Sequence, residues 1–385
     1  TVAPAVPPAA PPAPPAPITA LPYEEAFLKA ANALFAGAQL QERAGDASGR
    51  HLLVIDPLVD GVTGNQSAAT RSMEARLVDL ARAQYPQFDV QSFSSGAVAA
   101  QPIVFVGTFT GVNPQGKTAG QREAYRICFA LADLKSGKIV AKSRVFAEME
   151  GVDVTPTPAF RDSPAWVKDE ATEAYIKTCQ ATKVGDPLDP AYVDRILAAA
   201  LISDAIEAYD ARRYQDALEL YTSAQSLPAG DQLRVHNGIY LTNWKLGRRD
   251  AAMAAFGRLI DFGLANKRLA VMFLFKPGST AFWPDPQVSA PYTFWLQEIA
   301  ARGAQAGSCL EITGHTSPTG PEPLNERLSL LRAEVIKKRL EAGAPTLAGR
   351  TIANGVGSRE ALVGNGRDDQ TDALDRRVEF KVIGC

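Results

Sequence analysis

Cysteine and histidine are scarce, with four and three residues in a chain of 385. Cys128, Cys179, Cys309 and Cys385 form no CxxC pair and no ligand cluster with His51, His236 or His315, which argues against a zinc site. Long apolar runs are missing too: nothing approaches the roughly 18 residues that a spanning helix needs. Charge of one sign is also lacking. Forty basic against 42 acidic residues leave a formal charge of -2, with no basic block, so nucleic acid and anionic membranes are not favoured as primary partners. The three histidines fall in separate segments, and no GxSxG elbow surrounds a serine. The paired carboxylates Glu24-Glu25 and Asp368-Asp369 sit at helix starts or turns, where capping and solvation account for them. The expectation is a protein without catalytic site, metal or cofactor, and not an enzyme.

What is present is 46% hydrophobic and 21% charged sequence, enough for two or three globular domains. Residues 1–22 are Pro/Ala-rich and nearly uncharged. Such a tract favours extended polyproline conformations of about 3 Å per residue and reads as a tether. With no initiator Met and no signal peptide, the chain reads as a mature or trimmed form, and a lipid-modified Cys just upstream of the tether is the corresponding hypothesis. Residues 23–150 read as an α/β domain. A helix from Tyr23 to Leu40 precedes the strand HLLVIDPLVD, ended by Pro57. The helix SAATRSMEARLVDLARAQYP, the strands FDVQSFS and IVFVGTFTGV, and a hairpin turning at Ser136-Gly137 follow, implying a mixed sheet.

Within that domain, Gly111–Thr118 (GVNPQGKT) matches the phosphate-loop pattern GxxxxGK[ST]. A true site needs a helix to begin at Lys117 so that its N-terminus faces the anion. The polar stretch that follows leads into a strand, and the acidic partner would have to be Asp56, upstream of the loop. A Gly/Pro hairpin loop is the preferred reading, with nucleotide binding as a minor alternative.

Residues 151–190 are Pro- and Asp-rich around one short helix near EATEAYIKTCQ and read as an irregular connector. Over residues 191–265 the chain then repeats at a spacing of 35: Tyr209 answers to Trp244, Arg213 to Arg248, Ala217 to Ala252 and Tyr221 to Phe256. The two units resemble tetratricopeptide repeats, helical hairpins with small residues where helices cross. Two repeats cannot bury a continuous solenoid core, so they are expected to pack on a neighbouring domain. A plain helical spacer is the rival reading.

The densest signal lies at residues 268–385. The strand CLEITGH runs into a Pro/Gly-rich loop and then a helix on which Leu328, Leu331, Val335 and Leu340 fall on roughly one face. Arg332 would then point outward from that seam, its guanidinium fork suited to a carboxylate. The ordered motifs FxPGS (Phe275–Ser279), GHT (314–316), Asn325, LSxxRAxxV (Leu328–Val335), GxGS (Gly355–Ser358) and DRRVEF (Asp375–Phe380) resemble the C-terminal domain of the outer-membrane protein A family, a peptidoglycan-binding module. The resemblance implies a βαβαββ fold and a stem-peptide site at Thr316, position 317, Asn325, Arg332 and Arg376. One of Arg376 and Arg377 would face inward and the other solvent, as strand neighbours do. Where the family carries Asp after GHT to take the ammonium of diaminopimelate, this chain has Ser317. Glu322 is the candidate replacement if the loop folds back, and Asn325 is placed to cap the helix. The resembled fold lays the last strand antiparallel to CLEITG, which implies a Cys309–Cys385 disulfide and an oxidising compartment. Cys128 and Cys179 form a second bridge or remain buried thiols, the thiols being preferred.

Residues 23–150 are similar, in pattern more than in signature residues, to the periplasmic domains of curli-secretion lipoproteins and penicillin-binding-protein activators. The whole then reads as a multidomain α/β and α protein: an α/β mixed-sheet domain, helical repeats and an OmpA-like domain. The implied role is a Gram-negative, periplasmic, outer-membrane-associated scaffold that touches peptidoglycan at one end and envelope proteins at the other. In the alternative, Ser317 marks a domain that has lost the wall and serves protein interaction or oligomerisation.

Overall fold

The computed structural model describes residues 17–40, 49–118, 120–165, 168–267, 269, 271–362, 364, 366 and 370–385. Residues 1–16 of the tether and the Asp368-Asp369 pair lie outside them. Residues 17–22 do not stand free. Ile18 N donates to Pro114 O at 2.8 Å and Leu21 N to Phe146 O at 2.9 Å, so the last residues of the Pro/Ala tract lie on the first sheet.

That sheet is built from α1 (Tyr23–Ala36), β1 (His51–Ile55), α2 (Ala68–Gln84), β2 (Phe88–Gln91), α3 (Ser95–Ala99), β3 (Ile103–Val112), β4 (Ala124–Asp133) and β5 (Lys138–Ala147). Its order is β2-β1-β3-β4-β5. β1 is parallel to both β2 and β3, and the hairpins β3–β4 and β4–β5 are antiparallel. The central strand β3 is buried at all ten positions, as its unbroken apolar and small-residue run requires for a strand covered on both faces. Phe27, Leu34 and Phe35 of α1 and Met73 and Leu77 of α2 cover one face.

The opposite face is covered by residues read from sequence as a connector. After α4 (Pro158–Arg161) comes α5 (Glu170–Gln180), capped by Asp169 accepting from Thr172 N. α5 lies on β3 and β4: Tyr175 Oη accepts from Gly107 N at 3.0 Å and reaches Gly107 O at 3.1 Å. Cys179 is joined to Cys128 of β4, with Cα atoms 6.1 Å apart, in place of the preferred pair of thiols. The contact joins residues 51 apart in sequence, and spacing alone carries no signal for it.

The Gly111–Thr118 loop joins β3 to β4. Asn113 N donates to Lys117 O at 2.8 Å and Gly116 has φ 73°. No helix starts at Lys117, which is exposed, and the next element among the described residues is β4. Without a helix N-terminus there is no phosphate cradle, so the minor nucleotide alternative falls and the segment is the hairpin loop of the preferred reading.

Four helices follow: α6 (Pro190–Asp210), α7 (Tyr214–Gln225), α8 (Leu233–Lys245) and α9 (Arg249–Ala265). α6 bridges two cores: Tyr192, Ile196 and Ala200 pack toward the sheet, whereas Ile202, Ile206 and Tyr209 enter the helical core. The 35-residue spacing is visible in the backbone. Arg213 and Arg248, entering α7 and α9, have φ/ψ of -84/65 and -81/72. The residues before them, Arg212 and Gly247, both have positive φ, 62° and 74°. Ala217 and Ala252 are fully buried at the helix crossings. An arginine in the left-handed region carries a steric cost that glycine avoids. Arg212→Gly is therefore expected to raise stability by about 0.5–1 kcal/mol and Gly247→Ala to lower it by a similar amount, read from urea midpoints of the full chain.

The helices pack on the last unit and share its core. This unit comprises β6 (Phe273–Leu274), α10 (Pro286–Ser289), α11 (Tyr292–Gln305), β7 (Cys309–Gly314), α12 (Glu322–Gly343), β8 (Thr351–Gly355), α13 (Gln370–Asp375) and β9 (Arg377–Ile383). Phe256 of α9 stacks on Trp295 of α11, with centroids 5.5 Å apart and planes 10° off parallel. Trp295 Nε1 donates to Tyr240 Oη at 2.9 Å. The second sheet has the order β6-β9-β7-β8, with β7–β8 parallel and β7–β9 antiparallel. Cys309 pairs with Ile383 in that ladder, and the Cys309–Cys385 disulfide closes it with Cα atoms 5.3 Å apart.

Candidate functional site

β7 and β8 both end in glycine where α12 crosses them. A Cβ on Gly314 would overlap the Ser329 carbonyl, and one on Gly355 would come within 2.5 Å of Leu330 N. The glycines of GHT and GxGS are thus sites of close strand–helix approach. They bring three loops to one end of the sheet: 315–321 after β7, 356–362 after β8, and 275–279 after β6.

α12 turns a different face inward from the one its leucines suggest. Asn325, Ser329, Arg332, Ala333, Ile336 and Leu340 are buried, while Leu330 and Leu331 are 38% and 41% exposed. The spacing 325, 329, 332, 336, 340 follows the helical repeat. Arg332 is consequently not an outward arginine. It is fully buried: Nε donates to Ser279 O at 3.0 Å, Nη1 to His315 O at 3.1 Å and Nη2 to Lys276 O at 2.9 Å. It also lies over Phe275, 5.2 Å from the ring centroid. Burial, with Arg376 nearby, lowers its pKa to about 10, so it stays charged at neutral pH. The guanidinium ties the FxPGS and GHT loops together.

The other sequence-derived positions fall around it. Thr316 is buried, donates its N–H to Gly357 O at 2.9 Å, and leaves Oγ1 without a hydrogen-bond partner among the described residues. Ser317 is buried and its Oγ lies 2.8 Å from Thr319 Oγ1. Asn325 does not cap α12, whose N-cap is Pro321. Instead its amide donates to Thr319 O at 3.2 Å and Gly320 O at 3.4 Å, holding the loop from inside the first turn. Glu322 turns toward the loop after β8: its carboxylate accepts from Ser358 N at 3.1 Å and from Ser358 Oγ. Arg359 approaches it to 3.6 Å. Arg376 and Arg377 do not alternate, both being buried. β9 begins only at Arg377, so Arg376 lies in the preceding turn, over Trp283 at 5.7 Å. Arg377 reaches Glu360 O at 3.2 Å and pairs with Glu379.

His315 sits at the centre, 1% exposed, with neither ring nitrogen hydrogen-bonded among the described residues. Glu360 and Glu379 lie 3.9 Å from Nδ1 and Nε2. Burial, with Arg377 adding to it, holds the imidazole pKa well below its usual value, so the ring is neutral at pH 7. The residue that sequence reasoning overlooked is Ser329. Its Oγ accepts from Gly357 N at 3.0 Å and donates to Glu326 O at 2.8 Å. The LSxxRA motif contains it, and its small polar side chain at a buried helical position was the available sign.

Among the described residues, no group of side chains could hold a metal ion and no helix is long and apolar enough to cross a membrane.

No known family profile and no curated protein matches the chain. Solved structures resemble parts of it. The peptidoglycan-associated lipoprotein from Burkholderia pseudomallei is 21% identical over 29% of this chain and 89% of that one, with a TM-score of 0.26. The cell wall anchor of the T6SS from Pseudomonas aeruginosa is 22% identical over 34% and 97%, with a TM-score of 0.26. The C-terminal domain of Helicobacter pylori MotB is 19% identical over 30% and 84%, with a TM-score of 0.24. These are partial likenesses with low scores, confined to about a third of this chain.

Proposed function

We propose that the protein is a non-enzymatic scaffold of the Gram-negative periplasm whose last unit meets peptidoglycan at the end of its second sheet. The observation that carries this reading is the set of buried polar atoms left without partners there, Thr316 Oγ1 and both nitrogens of His315. Buried polar groups are nearly always hydrogen-bonded, and an exception calls for an explanation such as a ligand. Thr316 and Ser317 would then contact the stem peptide directly. Arg332, Asn325 and Glu322 act by holding the three loops in place, and Arg376 lies beside them. In a family whose grip on diaminopimelate pairs Asp with Arg, this chain offers a neutral hydroxyl at the first position and a carbonyl-bound guanidinium at the second. Binding is therefore weak.

The first sheet and the helical hairpins, read as tetratricopeptide-like, are the surfaces for envelope proteins. The Pro/Ala tract is the tether toward the outer membrane. A second reading is favoured by one observation: Glu322 is already committed to Ser358, so no charged replacement for the family Asp is at hand. The domain would then have left the wall and become a protein-interaction or oligomerisation module.

Ser317→Asp separates the two. Charge-assisted hydrogen bonds are about twice as strong as neutral ones. Calorimetric titration with a diaminopimelate-containing muropeptide should show measurable wild-type binding that tightens about tenfold in the variant. Heat from the variant alone, with none from the wild type, favours the second reading.

A further inference from the structure

Four cations that form no run in the sequence meet on one face of the first sheet. Along the β4–β5 ladder Arg126 is opposite Phe146, Cys128 opposite Arg144 and Ala130 opposite Lys142. Side chains two apart on a strand share a face, so Arg126, Arg144 and Lys142 stand on the face that carries Cys128. The Cys128–Cys179 disulfide fixes the end of α5 to that face, and the chain leaving α5 adds Lys183. Between them opens a cleft of about 440 Å³, inside the range of roughly 300–1,000 Å³ typical of small-molecule sites.

Its wall carries charge of one sign: Arg126, Lys142, Arg144 and Lys183 line it, and no Asp or Glu does. Two of the four are held by the protein. Lys142 Nζ donates to the Thr182 carbonyl and lies 3.2 Å from Thr182 Oγ1. Arg126 donates from Nη1 to Gly116 O at 3.2 Å and from Nη2 to Gln180 Oε1 at 3.0 Å, which leaves its buried Nε without a partner among the described residues. Arg144 and Lys183 are exposed, and neither side chain has a hydrogen bond or ion pair among the described residues. Like charges side by side on neighbouring strands repel. Burial, with Arg144 adding to it, lowers the pKa of both Arg126 and Lys142, against the opposing pull of Asp60 and Asp186. No carboxylate in the wall offsets the repulsion, and a bound polyanion would.

A concave site, a free guanidinium, a free ammonium and an unmet Nε–H define a ligand by complement. We infer that the cleft binds a small phosphate-bearing anion. Arg144 supplies the planar fork that suits phosphate oxygens and Lys183 a point charge, with Arg126 Nε as a third donor. A phosphomonoester carries about −1.5 to −2 charge at pH 7 and three acceptor oxygens, a closer match than one carboxylate to three unmet cationic groups around one cleft. The scaffold then has a ligand site built from residues separate from the wall-facing loops.

The test is calorimetric titration of the full chain in low-salt buffer at pH 7 with glycerol 3-phosphate, pyrophosphate and, as a neutral counterpart, glycerol. At least one of the two phosphate compounds should bind with one-to-one saturation, more weakly as salt rises, and glycerol should give no saturable heat. Arg144→Gln and Lys183→Gln, at exposed side chains tolerant of replacement, should each weaken binding roughly tenfold. Arg258→Gln, at an exposed cation of α9, should change nothing. The inference is overturned if neither phosphate compound gives saturable heat at about 1 mM, if either cleft variant binds as the wild type does, or if Arg258→Gln weakens binding as much. Flotation of the chain with phosphatidylglycerol vesicles, without binding of either soluble compound, would make this face a membrane contact and overturn it as well. Because the variants lie outside the wall-facing loops, any of these failures leaves the peptidoglycan reading untouched.

Discussion

Replacing Arg332 with alanine is expected to destabilise the protein by about 3–5 kcal/mol, with most of the loss in the last unit. The side chain is fully buried, and its three bonds satisfy the carbonyls of Ser279, His315 and Lys276. Removing it leaves the His315 carbonyl unpaired in the interior, worth about 1–3 kcal/mol, releases the part-buried contacts to Ser279 and Lys276, and opens a cavity over Phe275. Relief of the guanidinium's own desolvation offsets part of that sum. The check is urea unfolding of the full chain together with amide exchange in β7 and β9, where protection should fall first. A variant with wild-type stability would mean that the arginine is not the tie described. The expectation also bears on experimental design, since lost wall binding in Arg332→Ala would report unfolding as readily as a missing contact.

The second large effect is a pH dependence at the other end of the molecule. Burial raises the Asp56 pKa from 3.8 to about 7, with the Tyr192 hydrogen bond and Arg234 opposing and Glu74 adding. Glu74 itself is raised by burial to about 7, with Arg71 and Leu58 N opposing. For an acid whose folded pKa lies above its unfolded one, the folded state holds the extra proton between the two values. Its contribution is therefore most favourable below about pH 4, is lost as pH rises toward 7, and is flat beyond. Three pH units correspond to about 4 kcal/mol as an upper limit for Asp56. Asp56→Asn keeps an acceptor for Tyr192 and cannot ionise. It should therefore be more stable than wild type at pH 8, with the advantage shrinking steadily toward pH 5. An equal difference at both pH values would contradict the assignment.

The strands of the first sheet were legible because their side chains announce burial directly: IVFVGTFTGV has nowhere to go but between two layers, and the Ser136-Gly137 turn fixes its neighbours. The cover of that sheet was not. EATEAYIKTCQ lies in a Pro- and Asp-rich stretch that reads as a connector, yet Tyr175 and Cys179 lie on β3 and β4 through contacts that no local pattern encodes. In the last unit the motifs located the loops, and the strand pairing that the resemblance implies put Cys309 beside Cys385, where the disulfide is found. The failure on α12 has a specific cause. The leucines suggested an apolar seam, but the buried face contains Asn325, Ser329 and Arg332, polar residues satisfied by backbone groups of other loops. Hydrophobic periodicity cannot detect a face buried through hydrogen bonds. The same reasoning explains Arg376, which strand alternation would place correctly only if β9 began one residue sooner.

The structural picture joins two ends. At one, Asp56 is buried just after β1 and accepts from Tyr192 beneath the helical cover of the first sheet. At the other, a frame of three loops is held by an internal arginine and presents neutral groups where the resembled family presents charge. The hairpin helices and the shared core from Tyr209 to Trp295 connect them.

Co-sedimentation of the full chain with purified diaminopimelate-type sacculi, wild type beside Ser317→Asp, tests the wall-facing assignment most directly. The account predicts that wild type enters the pellet above an unrelated control protein of similar charge, and that Ser317→Asp does so more strongly. Absence of both proteins from the pellet, with both folded, would contradict it.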